Sequence, residues 1–270
     1  MSNGRHPGLY IHVPFCRSKC LYCDFYSVAS SEAIPAWLQA VKREALIYRD
    51  RFQHFDSLFL GGGTPTILEE RDLAGLLEWL QKHFTFSNDS EVTIEANPDG
   101  LSLRKLKAMA GMGINRISVG VQSLDDPDLK YLGRSHDSKQ AQEALAMVRA
   151  SGIPNLSVDL IYGLETQSLR GFKRTVDRVL EFEPEHISCY QLTFERGTPF
   201  WKRMEAGRVR AIGEKLETAF FIWTSRYFAR KGYDHYEVSN FARGREFMCR
   251  HNLKYWSHTP YLGLGPSAHS

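Results

Sequence analysis

Six short apolar segments recur along this 270-residue chain, and nearly every one is followed by a stretch with helical spacing. The segments are 9–13, 57–60, 91–96, 116–121, 156–161 and 186–192, rich in β-branched and aromatic residues. Between them, apolar residues three and four apart predict helices over 34–52, 69–83, 102–110, 139–150 and 168–181, with a long amphipathic one over 213–230. In the first, Trp37, Leu38, Val41, Ala45, Leu46 and Tyr48 set the face, Ser30 or Ser31 is the expected cap, and Pro35 falls in the first turn. Alternation of this kind specifies an α/β fold with a parallel sheet and right-handed crossovers. Six units fall short of eight, so an incomplete (β/α)6 barrel is expected, with chemistry at the carboxyl ends of its strands.

The first strand runs straight into Cys16-Arg17-Ser18-Lys19-Cys20-Leu21-Tyr22-Cys23, which holds three of the five cysteines. Three thiols are one short of a structural zinc site or an all-thiolate iron–sulfur cluster. On a four-iron cluster they leave one iron open to a small molecule. A zinc loop completed by His12 or Asp24 remains an alternative. A disulfide fits poorly, because nothing points to secretion. Cys189 lies mid-strand and reads as a small buried hydrophobe.

Polar residues stand near the exits of the other strands. Gly61-Gly62-Gly63-Thr64-Pro65-Thr66 is not a phosphate loop, since no Lys-Ser or Lys-Thr follows; its glycines let backbone approach a ligand. Glu95 sits on an otherwise apolar strand and needs a partner, such as the two hydroxyls of a ribose. Gln122 and Asp159 follow on the fourth and fifth strands. Arg134 suits a ligand's carboxylate.

Composition narrows the function classes. Lys plus Arg is 34 against 31 for Asp plus Glu, a net charge of +3, which gives no support for nucleic acid as the main partner. Hydrophobic content of 43% is ordinary for a packed domain. The polar stretch 1–7 has no signal-peptide core, and no apolar run reaches membrane-spanning length. A cytoplasmic location is the default expectation, with peripheral membrane contact left open. No repeat or low-complexity tract is evident.

The C-x3-C-x2-C loop, with Tyr22 before its last cysteine, resembles the signature of the radical S-adenosylmethionine (radical SAM) family. The blocks Gly8-Leu9-Tyr10-Ile11-His12-Val13-Pro14-Phe15-Cys16, Gly61 to Thr66, Glu95-Ala96-Asn97-Pro98, Gly120-Val121-Gln122-Ser123 and Asp159-Leu160-Ile161-Tyr162-Gly163-Leu164 sharpen the resemblance. They are similar to oxygen-independent coproporphyrinogen III oxidases and their relatives, the HemW haem chaperones, over essentially the whole chain. The resemblance implies a [4Fe–4S] cluster on Cys16, Cys20 and Cys23, with S-adenosylmethionine chelating the open iron and cleaved by an electron from the cluster to a deoxyadenosyl radical. It implies S-adenosylmethionine contacts at Tyr10, Tyr22, Gly62, Gly63, Thr64, Glu95, Gln122, Arg134 and Asp159, with Thr193 a weaker backbone contact.

Two function classes follow from the resemblance. One is the oxidase, which decarboxylates propionates. The other is a chaperone that binds haem and delivers it to an acceptor protein, with an electron donor as a further partner. The oxidases carry another cysteine two residues after the third cluster ligand, where this chain has Phe25, and an extension ahead of the first strand. The block His251-Asn252-Leu253-Lys254-Tyr255-Trp256 is typical of the chaperones and makes His251 the haem-ligand candidate, with Cys249 a second soft contact. The expected division is a core barrel over 1–235 and the start of the family's C-terminal region over 236–270. That region is longer in the family, so a truncated chain is expected. A binding module without a cluster would leave the clustered thiols without a role.

Overall fold

A computed structural model describes residues 6–270; residues 1–5 of the polar N-terminal stretch lie outside the described residues. Six parallel strands lie side by side in chain order: β1 (Gly8–Val13), β2 (His54–Gly62), β3 (Thr85–Ala96), β4 (Arg116–Gln122), β5 (Asn155–Tyr162) and β6 (His186–Gln191). The crossovers between them carry α1 (Ile34–Ile47), α2 (Glu70–His83), α3 (Leu103–Gly111), α4 (Asp126–Leu132), α5 (Ser138–Arg149) and α6 (Leu169–Leu180). Three further strands extend the sheet. After α7 (Pro199–Glu205) and α8 (Glu214–Arg230), the short β7 (Asp234–His235) and β8 (Asn240–Ala242) add antiparallel beyond β6. After α9 (Arg250–Ser257), β9 (Tyr261–Leu264) adds parallel to β1 at the opposite edge. Among the described residues β7 and β9 are the two ends of one sheet and do not pair, so the barrel is open.

The inner and outer faces of this sheet differ in kind. Outward residues are aliphatic and fully buried under helices: Leu9, Ile11 and Val13 on β1, Ile117, Val119 and Val121 on β4, Leu156, Val158 and Leu160 on β5. Inward residues, two apart on the same strands, are polar or aromatic: Tyr10 and His12, Thr93 and Glu95, Arg116 and Ser118, Ser157 and Asp159, His186 and Ser188. The apolar core therefore lies between sheet and helices, and the barrel's interior is left hydrophilic.

Local signals set most boundaries. Ser102 caps α3 by accepting from the Lys105 amide at 3.3 Å, and Asp137 with Gln140 forms a reciprocal capping box on α5. Gly133, at φ 73°, ends α4 in the left-handed conformation. Two expectations for α1 are corrected. Its cap position is Ala33, with no side-chain bond, because Ser30 Oγ is engaged by the Glu32 amide in the preceding turn. The helix also stops at Ile47, not Phe52: the chain turns back through bonds to the Tyr48 carbonyl, and Phe52 stacks on Phe55 at 6.2 Å. Helices α4, α7 and α9 and the strands β7 to β9 have no counterpart in the sequence reading.

Candidate functional site

The cysteine loop leaves β1 at its carboxyl end and is held there by backbone bonds. Cys16 N–H donates to Val28 O at 3.0 Å, and Leu21 N–H to Leu132 O at 3.3 Å. Gly63 and Thr64, at the exit of β2, donate back to Val13 O and Phe15 O at 2.8 and 2.7 Å. Gly63 must be glycine here, since a Cβ would lie 2.7 Å from Phe15 O and 2.8 Å from Val13 O. Gly62 adopts φ 106°, and a Cβ there would enter the His12 ring at 2.6 Å.

A chain of hydrogen bonds joins two of the three thiols. Thr64 Oγ1 donates to Cys16 Sγ at 3.6 Å and accepts from Asn97 Nδ2 at 2.9 Å. Arg134 donates to Asn97 Oδ1 at 2.6 Å, to Gly120 O at 2.8 Å, to Tyr22 Oη at 3.4 Å and to Cys20 Sγ at 3.2 Å. All three cysteines are free and half-buried. Burial pushes the Cys23 thiol up to about 11, moderated by the Phe25 amide and raised further by the neighbouring Cys20 and Cys16.

Among the described residues no three His, Cys, Asp or Glu side chains are arranged to hold a single metal ion, the three cysteines included. His12, the candidate fourth zinc ligand, has both ring nitrogens engaged, Nδ1 with Tyr10 Oη at 3.1 Å and Nε2 with Tyr26 O at 2.8 Å. The three cysteine sulfurs are the donor set that a cluster with one open iron would use.

Below the loop, the barrel encloses a cavity of about 610 Å³. Tyr10, Gly62, Glu95 and Asp159 line it, so the structure brings these four expected S-adenosylmethionine contacts together. Glu95 accepts from the Gly62 amide at 3.1 Å. Burial, with Asp159 adding to it, pushes the Glu95 carboxyl up to about 8, although the Gly62 amide opposes the shift. Asp159 is raised too, by burial against the pull of its hydrogen bonds, among them those from Ser118 Oγ at 3.0 and 3.1 Å. Gln122 stands at the exit of β4 with φ 66°, an uncommon conformation for a non-glycine residue, beside an irregularity in the β4–β5 register. Thr64 and Arg134 border a second, small cleft beside Cys20, together with Asn97. Thr193 is exposed, after the end of β6.

His251 lies at the other end of the barrel. It sits on α9, not in a loop, and packs under the first residues of β1 and β2: its Nδ1 pairs with Ser57 Oγ at 3.3 Å. Gly8 makes room for it, since a Cβ there would sit 2.8 Å from that Nδ1. Lys254, one turn on, pins α9 by a 2.5 Å ion pair with Asp56. Burial lowers His251 to about 3, with Lys254 adding to the effect, so the imidazole is neutral at pH 7 and its Nε2 is without a partner. Cys249 donates to Glu91 Oε1 at 3.5 Å, and burial raises its thiol to about 12. Cys189 is buried, in keeping with a packing role.

The sequence reading missed Arg116, Ser118, Ser157, His186 and Ser188 on the cavity wall, and Asn97 in the thiol network. The signal was present for the wall residues: each alternates with an aliphatic neighbour along its strand.

An open parallel barrel with three thiols at its carboxyl mouth and a polar interior defines the radical SAM class. The sequence profile of the Radical SAM superfamily matches residues 10–179. The coproporphyrinogen III oxidase HemN of Escherichia coli, described as a radical SAM enzyme, superposes with a TM-score of 0.84 at 25% identity, over 98% of this chain and 64% of that one. The haem chaperone HemW of Bacillus subtilis is 37% identical over 265 residues, 96% of this chain and 69% of the relative. The mitochondrial radical S-adenosyl methionine domain-containing protein 1 of Danio rerio is 34% identical over 99% of this chain, which spans 61% of that relative's length. The chain belongs to the radical SAM superfamily and, within it, to the HemW family. Among the described residues no helix is long and apolar enough to cross a membrane.

Proposed function

We propose that the chain is the radical SAM part of a haem chaperone, which binds haem and passes it to an acceptor protein. The observation that carries this reading is the 37% identity to a haem chaperone over 96% of the chain. Phe25 supports it: the ring is 66% exposed at the cavity mouth, where the resemblance places a further cysteine in the oxidases. With Tyr26 and Tyr190 it lines the cavity with exposed aromatic surface suited to a flat macrocycle. The neutral, buried His251 is the proposed haem ligand.

Cys16, Cys20 and Cys23 are the proposed cluster ligands. When bound, the cluster supplies an electron and one open iron. The chain's residues do the positioning. Gly62 and Gly63 present backbone to the methionine end of S-adenosylmethionine, and Thr64, Tyr22 and Arg134 fix the loop around it. Glu95, mostly protonated at pH 7, can both donate to and accept from ribose hydroxyls. Tyr10 and Asp159 complete that wall, Gln122 faces it from the exit of β4, and Thr193 is a weaker backbone contact. We further propose that 1–235 is the core, that 236–270 begins the family's C-terminal region, that an external donor reduces the cluster, and that the protein works in the cytoplasm.

A second reading, an oxygen-independent coproporphyrinogen III oxidase, is favoured by the 0.84 TM-score to HemN. One experiment separates the two. The chain is reconstituted anaerobically with iron and sulfide, then titrated with haem, and the same sample is given coproporphyrinogen III, S-adenosylmethionine and a reductant. Stoichiometric haem binding without decarboxylation is expected. Turnover to protoporphyrinogen IX would establish the oxidase instead.

A further inference from the structure

The floor of the barrel holds a charged side chain that the cluster and S-adenosylmethionine leave unused. Arg116 opens β4 and points inward, directly opposite Thr93 in the β3–β4 register. It is 1% exposed, which makes it one of the largest fully buried side chains. Removing a guanidinium from water is costly, and an aliphatic residue would fill the position at less cost. Its partners compensate only one nitrogen: Nη1 donates to Phe247 O at 2.9 Å and lies 3.7 Å from Glu91 Oε2. Nη2 has no partner.

Other groups on the same cavity wall share that condition. Thr93 Oγ1 (0% exposed), Asn240 Oδ1 (4%) and His251 Nε2 (1%) are buried and unpartnered, and all four residues line the cavity. Glu91 leaves Nη2 unpaired: its Oε1 accepts from Cys249 Sγ and the His251 amide, and its Oε2 faces Nη1. The open guanidinium edge, with the Thr93 hydroxyl on the neighbouring strand, matches a carboxylate, which a guanidinium can grip through two parallel bonds.

We propose that Arg116, with Thr93, forms a carboxylate-binding subsite that takes a propionate of the bound tetrapyrrole. This rests on the haem reading above. It gives the chain a means to tell a porphyrin acid from an uncharged macrocycle at the end of the cavity farthest from the cysteine loop. Glu95 and Asp159, two of the acids that line the cavity, are both held towards the neutral form by burial, which limits their repulsion of an incoming anion.

The test compares ferric haem with its dimethyl ester, in which both propionates are neutral, by absorbance titration of the chain. Wild type is expected to bind haem roughly ten- to a hundredfold more tightly than the ester, the size of a charge-assisted pair. Arg116→Gln should lose that preference and leave ester binding unchanged. Should Arg116→Gln fail to fold because Glu91 is left alone, Glu91→Gln/Arg116→Gln removes both charges and is compared with Glu91→Gln. Equal affinity for haem and ester in wild type, or an unaltered preference without Arg116, would overturn the subsite and leave the haem reading standing. Failure of wild type to bind haem at all would overturn both.

Discussion

Arg134 donates a 3.2 Å hydrogen bond to the sulfur of Cys20, 114 residues away in the chain. The same guanidinium reaches Gly120 O at the exit of β4 and Asn97 after β3, so one side chain ties the cysteine loop to two strands. Replacing it with Met should therefore loosen the loop before any cofactor binds. The expected loss is about 2–4 kcal/mol in urea denaturation of the metal-free protein, in the range for breaking a buried charge-assisted network. Faster amide exchange at Leu21, whose N–H pairs with Leu132 O, should accompany it. Unchanged stability and exchange would remove Arg134 from this role.

The glycine turn after β2 is a steric requirement. Gly63→Ala places a methyl 2.7–2.9 Å from backbone atoms of Val13 and Phe15, which cannot move aside as a flexible side chain could. Strain of about 1–3 kcal/mol is expected, and the β1 exit should shift outward. Calorimetry should show a lower Tm, and S-adenosylmethionine binding to the reconstituted protein should weaken at least tenfold. Gly75→Ala, with nothing within 4 Å of the added atom, is the control and should match or exceed wild-type stability.

Glu95 gives the protein a pH dependence of definite sign. Its folded carboxyl titrates near 8 against an ordinary value of 4.5. Between those values the folded state holds a proton that the unfolded state has released, so stability falls as pH rises through the window. Glu95→Gln should flatten this limb, and its advantage over wild type in urea should grow from pH 5 to pH 8. An advantage that shrinks over that range would contradict the assignment. Bound S-adenosylmethionine should reduce the difference in wild type, by supplying partners for the carboxyl.

Much of the fold was legible because its signals are local. The six strands and most of their helices follow from apolar spacing, and Ser102 marks a helix start that its side-chain bond enforces. The late elements were not legible for a physical reason. Strands β7 and β8 have two and three residues, too short for a period to show, and β9 is fixed by pairing with β1. Helix α9 is placed by Lys254 reaching Asp56 and His251 reaching Ser57, contacts spanning about two hundred residues. The candidate site divides in the same way. Cys16, Cys20 and Cys23 declare themselves by spacing, and Glu95 by being a carboxylate among aliphatics. Arg116 and His186 do alternate with aliphatic neighbours, but each opens its strand, where one residue is too few to show which face it takes.

The cluster loop is the part on which the rest depends. Mössbauer spectroscopy of the chain reconstituted with 57Fe and sulfide, recorded with and without S-adenosylmethionine, tests it most directly. A four-iron cluster is expected in which addition of S-adenosylmethionine alters the signal of a single iron, and which is absent when Cys16, Cys20 and Cys23 are all replaced by Ala. A cluster that ignores S-adenosylmethionine, one that survives in the triple variant, or a protein that takes up zinc in place of iron and sulfide would contradict the account.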